Sequence, residues 1–367
     1  MRTAPTLQVV AVLVLLETHA LPEVISAADC VKQAEADLAA GRVSQASSQL
    51  RNFVNALPDG GQQSLIQKAS RLAEQLHALD TADTRTTFQL AELYFLERRF
   101  TDSLQVLTKI GRQRADADYF NLAGMNYAAM GDLPVASRAV IKAIELAPDR
   151  PDLLVNLGGL YQRAKNNQAA LAVLKKAVAM PTAQPQAFFA LALTYYNLGN
   201  YASTVENCSR ATERNPAFAM AFLLKGRAYG AMGKSNEAGK ELGRALALNA
   251  SCDACQFELA LLARSDQESE HLLRATLAIN TNHADAHFRL GKLLAKQGRV
   301  EEAKAELRRS IELEPDQDAA YYQLAVLYKK TGESENAQRI FEALRQRKEQ
   351  RRVQSEANLQ PQTTPNR

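Results

Sequence analysis

The chain of 367 residues has no tryptophan and only 17 glycines, 12 prolines and 4 cysteines. This scarcity excludes a collagen-like repeat, a Gly- and Pro-rich disordered chain and a small scaffold held by disulfides. The chain also has little net charge, because its 44 Lys and Arg nearly balance its 40 Asp and Glu. Residues 345–367 account for the excess, with six basic and two acidic side chains. The remaining body is therefore neutral, which argues against a nucleic-acid-binding protein with its domain-wide basic face.

The apolar run near the N-terminus is short. Residues 9–16 (VVAVLVLL) number eight, whereas a helix needs about 20 apolar residues to cross a bilayer. The run follows Arg2 and precedes small-residue exits at 18–20 and 26–28, a pattern typical of a secretory signal peptide. We therefore expect residues 1–28 to be a signal peptide, and the mature chain to be secreted or periplasmic without a membrane span. The alternative is the first helix of a cytoplasmic protein.

A segment of about 34 residues recurs eight times along the chain. One copy contains Gly291, Gly298, Ala303 and Pro315, and the same offsets return in the other copies. Apolar residues recur three and four positions apart on both sides of the central glycine, so each copy is predicted to fold as two helices. The copies are predicted to begin at Thr84, Ala117, Pro151, Pro185, Ala219, Asp253, Ala284 and Asp318.

This unit resembles the tetratricopeptide repeat. The resemblance implies an all-α fold, a right-handed α-solenoid of helix-turn-helix repeats, in which stacked pairs bury faces that one pair cannot bury alone. The repeat at Asp253 lacks three residues and its turn glycine, which predicts a shortened turn. Around the array, residues 29–83 are predicted to form a helical cap with one degenerate repeat and a lone helix. Residues 84–350 are predicted to hold the eight repeats and an extended C-terminal helix, and residues 351–367 a disordered basic and polar tail.

The first helix of each repeat lines a concave groove in the family that the unit resembles, and that groove holds protein or peptide segments. Side chains at these positions are polar to acidic in the first half of the array and mostly basic in the second. The residues expected to bind a partner are Asn121, Asn156, Arg227, Arg264, Arg289, Lys292, Lys296 and Lys329. The basic half favours an acidic segment or a C-terminal carboxylate, through charge-assisted hydrogen bonds. The alternative is that these are ordinary solvated charges of exposed helices.

Two short motifs offer a metal or redox alternative. Cys252 and Cys255 open one first helix, and His283 and His287 open the next. Two cysteines that face two histidines would suit zinc. In an exported chain a Cys252–Cys255 disulfide is the second possibility, and two thiols are the third.

The sequence contains no catalytic motif. A P-loop, a dinucleotide-binding glycine pattern, H-E-x-x-H and G-x-S-x-G are all absent. Residues outside the array are too few for a separate catalytic domain. The sequence therefore predicts a non-enzymatic scaffold or adaptor without a cofactor, which binds protein segments. The alternative function is a cytoplasmic assembly factor that acts through its flanks and its basic C-terminal helix.

Overall fold

The computed structural model describes residues 26–56, 63–111 and 113–359, and most of the predicted signal peptide lies outside these ranges. Within them the chain forms nineteen helices and no strand. The helices are α1 (Ala27–Ala39), α2 (Val43–Ala56), α3 (Gln63–Leu79), α4 (Thr84–Leu96), α5 (Phe100–Ile110), α6 (Ala117–Ala129), α7 (Leu133–Leu146), α8 (Pro151–Arg163), α9 (Asn167–Ala179), α10 (Pro185–Asn197), α11 (Tyr201–Arg214), α12 (Ala219–Ala231), α13 (Ser235–Leu248), α14 (Asp253–Leu262), α15 (Asp266–Ile279), α16 (Ala284–Lys296), α17 (Val300–Leu313), α18 (Asp318–Lys330) and α19 (Ser334–Leu359). Among them, none is both long enough and apolar enough to cross a bilayer.

The helices pair in sequence order. Eight first helices, from α4 to α18 in steps of two, begin at the eight residues at which the sequence predicts a repeat start. Each packs against the second helix that follows it, and α1 packs against α2 in the same way. The predicted all-α fold of helix-turn-helix repeats is therefore confirmed.

The chain divides into two compact units. The N-terminal unit ends at Pro216 and contains α1 to α11, in which α3 stands alone between the pair α1–α2 and the four pairs α4–α11. The C-terminal unit begins at Ala217 and contains the four pairs α12–α19. In both units the core consists of leucine, alanine and aromatic side chains that face a neighbouring helix.

Left-handed backbone ends most of the first helices. Gly131 has a φ of 92° and Gly298 a φ of 80°, a conformation that costs glycine little because it has no Cβ. Three repeats lack glycine at this point, and in two of them Arg98 and Lys165 adopt φ values of 64° and 57°. In those two repeats the turn thus keeps the same geometry although the residue does not favour it.

The repeat at Asp253 differs from its prediction. The turn between α14 and α15 spans residues 263–265, as long as the turn at 297–299 between α16 and α17, so the expected shortened turn is wrong. The missing residues instead shorten α14, which has 10 residues where α16 has 13. Ala263 leaves the helical region with a ψ of 138°, and Ser265 starts α15 by accepting a hydrogen bond from the backbone N–H of Glu268. In this repeat a side-chain cap thus starts the second helix without a turn glycine before it.

The last helix is longer than predicted. It continues to Leu359, so the expectation of a disordered tail is wrong for residues 351–359, while residues 360–367 lie outside the described part. Arg352 explains the extension, because it pairs with Glu349 at 2.6 Å and Glu356 at 2.8 Å, three and four residues away on one helix face. Arg351 also pairs with Asp318 of α18.

Candidate functional site

The two asparagines predicted to bind a partner in the N-terminal unit are buried. Asn121 of α6 and Asn156 of α8 are only 3% and 5% exposed. The Nδ2 of Asn156 donates a hydrogen bond of 3.0 Å to Oδ1 of Asn121. This contact joins neighbouring first helices, so a partner would reach either amide only by displacing the other.

Other first-helix side chains of this unit are also engaged between repeats. Gln162 Nε2 donates to Thr194 Oγ1 at 2.7 Å and to the carbonyl of Ala190 at 2.9 Å. Arg163 donates to the carbonyl of Ala128 at 2.7 Å. These polar groups of the first helices therefore form hydrogen bonds with neighbouring first helices. Position in the repeat alone does not predict these hydrogen bonds.

The three acidic side chains of α4, α6 and α8 are either buried or paired. Burial raises the pKa of Glu92 to about 8, and the charge of Asp118 adds to this effect while Arg114 opposes it. Glu92 is therefore mostly neutral at pH 7. Asp118 and Asp152 both pair with Arg150, at 2.5 and 2.6 Å.

The C-terminal unit instead exposes a group of cations on two contacting first helices. We name it the cationic face, and it consists of Arg289, Lys292 and Lys296 of α16 with Lys329 and Lys330 of α18. The three residues of α16 are spaced three and four apart, which places them on one side of the helix. Lys296 forms an ion pair with Asp266 at 2.6 Å. The other four cations have no ion-pair partner among the residues that the structure describes.

The carboxylates of the same first helices are all occupied. Glu258 of α14 pairs with Arg227, and Asp318 of α18 pairs with Arg351. The remaining two accept hydrogen bonds, Asp253 from Asn280 at 2.7 Å and Asp285 from Gln317 at 2.8 Å. None of these four carboxylates forms an ion pair with the cationic face.

Two predicted partner-binding cations lie outside this face. The guanidinium of Arg227 sits in its ion pair with Glu258 at 2.6 Å, where the two side chains are only 11% and 20% exposed. Arg264 donates to Asn236 Oδ1 at 2.9 Å. The structure thus brings Arg289, Lys292, Lys296 and Lys329 together, and gives Arg227 and Arg264 intramolecular partners.

An aromatic ring accompanies the cations. Tyr322 of α18 is 54% exposed and lies seven residues before Lys329, which places the two on one side of the helix. Its ring contacts Phe341 of α19 edge-on, with the ring centres 6.2 Å apart. Apolar surface is therefore available beside the charges.

The cysteine and histidine motifs do not form a metal site. Cys252 and Cys255 are joined in a disulfide. His283 Nδ1 accepts from the backbone N–H of Ala286, and His287 bonds to Glu306 at 2.5 Å, which contributes to raising the pKa of His287 against the effect of burial. No cluster of three or more potential metal ligands occurs in the described part of the chain.

Known protein families and structures show clear similarity to this chain. Family models described as the tetratricopeptide or TPR repeat match residues 121–188, 185–218, 220–252, 291–332 and 319–347. No curated protein sequence matches the chain significantly.

Three solved structures resemble the chain at low sequence identity. One from the APC/C hetero-tetramer Cut9-Hcn1 is 13% identical, with a TM-score of 0.59 over 76% of this chain and 55% of that one. IFIT1, solved as a monomeric mutant with Gppp-AAAA, is 13% identical, with a TM-score of 0.51 over 89% and 91%. TTC0263, a thermophilic protein of Thermus thermophilus, is 21% identical, with a TM-score of 0.42 over 48% and 98%. This chain spans about half the length of the matched chain of the Cut9-Hcn1 structure, and its similarity to the first two structures concerns the fold alone.

Proposed function

The chain belongs to the tetratricopeptide-repeat family, whose fold is a scaffold for protein–protein interaction, and we propose that it binds acidic segments of partner proteins on its cationic face. One observation carries the proposal: four exposed cations of α16 and α18 lack an ion-pair partner within the described residues, while each first-helix carboxylate of the same unit is already engaged by another side chain. The proposed binding role itself requires no catalysis.

An acidic segment fits this face because it brings what the face lacks. Carboxylates would form charge-assisted hydrogen bonds with Arg289, Lys292 and Lys329 without breaking an ion pair inside the protein. Tyr322 offers a ring against which an apolar residue of the same segment can pack. Because the cations are exposed, salt at physiological concentration should weaken the interaction noticeably.

The variant Arg289→Glu/Lys292→Glu tests the proposal. We expect it to bind a fluorescent peptide of alternating Asp and Glu with one Tyr about tenfold more weakly at low salt, because each exposed contact contributes up to about 1 kcal/mol and reversal adds repulsion. Fluorescence anisotropy measures the affinity. Lys240→Glu/Arg339→Glu is the matched control, because both residues are exposed, unpaired among the described residues and located on second helices of the same unit.

The two variants make the outcomes distinct. Equal weakening of binding in both variants would show that net charge alone causes the effect. Unchanged affinity in Arg289→Glu/Lys292→Glu would refute binding at the cationic face. A single-stranded RNA of the same length and label serves as a third arm. If the RNA binds more tightly than the peptide, the ligand of the cationic face is a nucleic acid and not an acidic protein segment.

We also propose that the mature chain is exported. The apolar run at residues 9–16 followed by small residues supports a signal peptide, and a disulfide at Cys252–Cys255 suits an oxidising compartment. N-terminal sequencing of the protein from its natural source is expected to find a mature start near residue 21 or 29. An intact N-terminal segment in the mature protein would favour the cytoplasmic alternative.

A further inference from the structure

The disulfide of the C-terminal unit lies at the start of a helix. Cys252 is the N-cap residue of α14, and Cys255 occupies its first turn. Their Cα atoms are 5.2 Å apart, a separation that the first turn of a helix produces without distortion and that a disulfide can span. The same backbone therefore accommodates two thiols or one disulfide.

The two sulfur atoms differ in their access to solvent. Cys255 is 0% exposed and packs among Leu223, Leu242 and Ala245 of the preceding helix pair. Cys252 is only partly buried. A reagent in solution therefore reaches Cys252 Sγ first, and Cys255 Sγ is the sulfur that leaves when the bond is attacked.

The surroundings of Cys252 favour negative charge on its sulfur. The backbone N–H of Cys255 points at Cys252 Sγ, with an N-to-S distance of 3.1 Å. The first N–H groups of a helix carry partial positive charge, which stabilises a thiolate at that end. The adjacent carboxylate of Asp253 opposes this effect, although it is hydrogen-bonded by Asn280 at 2.7 Å and by the N–H of Ala254 at 2.8 Å.

A purely structural role explains the bond poorly. It closes a loop of only four residues, so it restricts the unfolded chain far less than a disulfide across a long loop would. It joins no two helices. The matching start of α18 forms with Gln317 as N-cap and no capping bond from that side chain, so a first helix of this unit needs no covalent closure.

We propose that Cys252 and Cys255 are a redox-active pair that exchanges with the dithiols or disulfides of other molecules, with Cys252 as the reacting residue. A thiolate of an external dithiol attacks Cys252 Sγ, the Sγ–Sγ bond breaks, and Cys255 Sγ leaves with the electron pair and takes up a proton. The second thiolate of the external molecule then attacks that molecule's sulfur in the mixed disulfide. Cys252 Sγ leaves as a thiolate and takes up a proton. The pair gains two electrons and two protons, and the dithiol becomes a disulfide. This activity goes beyond binding at the cationic face.

The first test uses the folded full chain in graded mixtures of reduced and oxidised dithiothreitol. Acid quenching, alkylation and peptide mass spectrometry measure each cysteine, while circular dichroism follows the helices. We expect Cys252 and Cys255 to be reduced together with no loss of helical signal. The Cys30 thiol is the internal control, because it is not part of the disulfide and its alkylation should be the same in every mixture. Reduction that occurs only in urea would overturn the proposal.

The second test assigns the reacting sulfur. With glutathione disulfide, Cys255→Ser is expected to form a mixed disulfide at Cys252 at least tenfold faster than Cys252→Ser forms one at Cys255. In the reduced native chain, a substoichiometric amount of iodoacetamide should modify Cys252 at least tenfold more than Cys255, a measurement that needs neither variant to fold. Equal modification of both cysteines, or preference for Cys255, would overturn the assignment.

Discussion

Replacing Phe188 by alanine is expected to lower the free energy of unfolding by about 4 kcal/mol. Phe188 of α10 is 1% exposed and is one of the largest fully buried side chains of the N-terminal unit. Its ring also carries two guanidinium groups of the paired helix, since Arg210 and Arg214 lie 4.5 and 4.2 Å from the ring centre. Alanine therefore leaves a cavity and removes two cation–π contacts between α10 and α11. A urea titration followed by circular dichroism measures the loss.

The variant Phe188→Leu separates the two contributions. Leucine fills most of the cavity but offers no ring to Arg210 and Arg214, so we expect a loss of about 1–2 kcal/mol. Because repeat arrays can unfold in parts, hydrogen exchange of the amides of α10 and α11 should show the same order of stability. A loss below about 1 kcal/mol for Phe188→Ala would contradict the packing described here.

The repeat phase was predictable because many weak signals recur together. A small residue, an alanine and a turn residue return at fixed offsets, and helices must bury apolar faces that recur three and four positions apart. An error of one residue would expose that face in every copy. This redundancy explains why the eight first helices begin where the sequence predicts.

Details that depend on one local choice were harder to predict. The three residues missing from the repeat at Asp253 could shorten either the turn or a helix. They shorten α14, and Ser265 caps the start of α15. Arg98 and Lys165 adopt left-handed backbone that their side chains disfavour, because packing of the helix pair fixes the turn. Residues 351–359 are polar, yet ion pairs along one helix face keep them helical.

The prediction of the candidate site was limited in the same way, because it rested on repeat position and not on local contacts. Repeat position placed Asn121, Asn156 and Lys292 on first-helix surfaces alike, yet the asparagines are buried and the lysine is exposed. A short amide can be satisfied by another amide on the next helix, as Asn156 and Asn121 show. A long cation without a carboxylate nearby keeps its charged end in water. Exposure thus depended on neighbours that the repeat pattern does not specify.

Replacing Gly291 by valine is expected to destabilise the C-terminal unit by about 3 kcal/mol. Gly291 lies where α16 packs against α17. A Cβ added there would lie 2.8 Å from Leu307 Cγ and 3.1 Å from both the carbonyl oxygen of Ala303 and the backbone N of Leu307. A side chain could turn away, but these two backbone atoms can move only if α17 moves as a whole. Urea denaturation of the full chain measures the change.

Gly243 of α13 is the matched control, because it also lies within a helix of the C-terminal unit but a Cβ there would meet nothing within 4 Å. Gly243→Ala is expected to stabilise the protein by about 0.5–1 kcal/mol, since alanine is the better helix former. Opposite signs for the two substitutions would show that contact between α16 and α17, and not helix propensity, sets the choice of glycine at position 291. If Gly291→Val also leaves stability unchanged or raises it, the two helices cannot be as close as described, and the helix-pair register would be wrong.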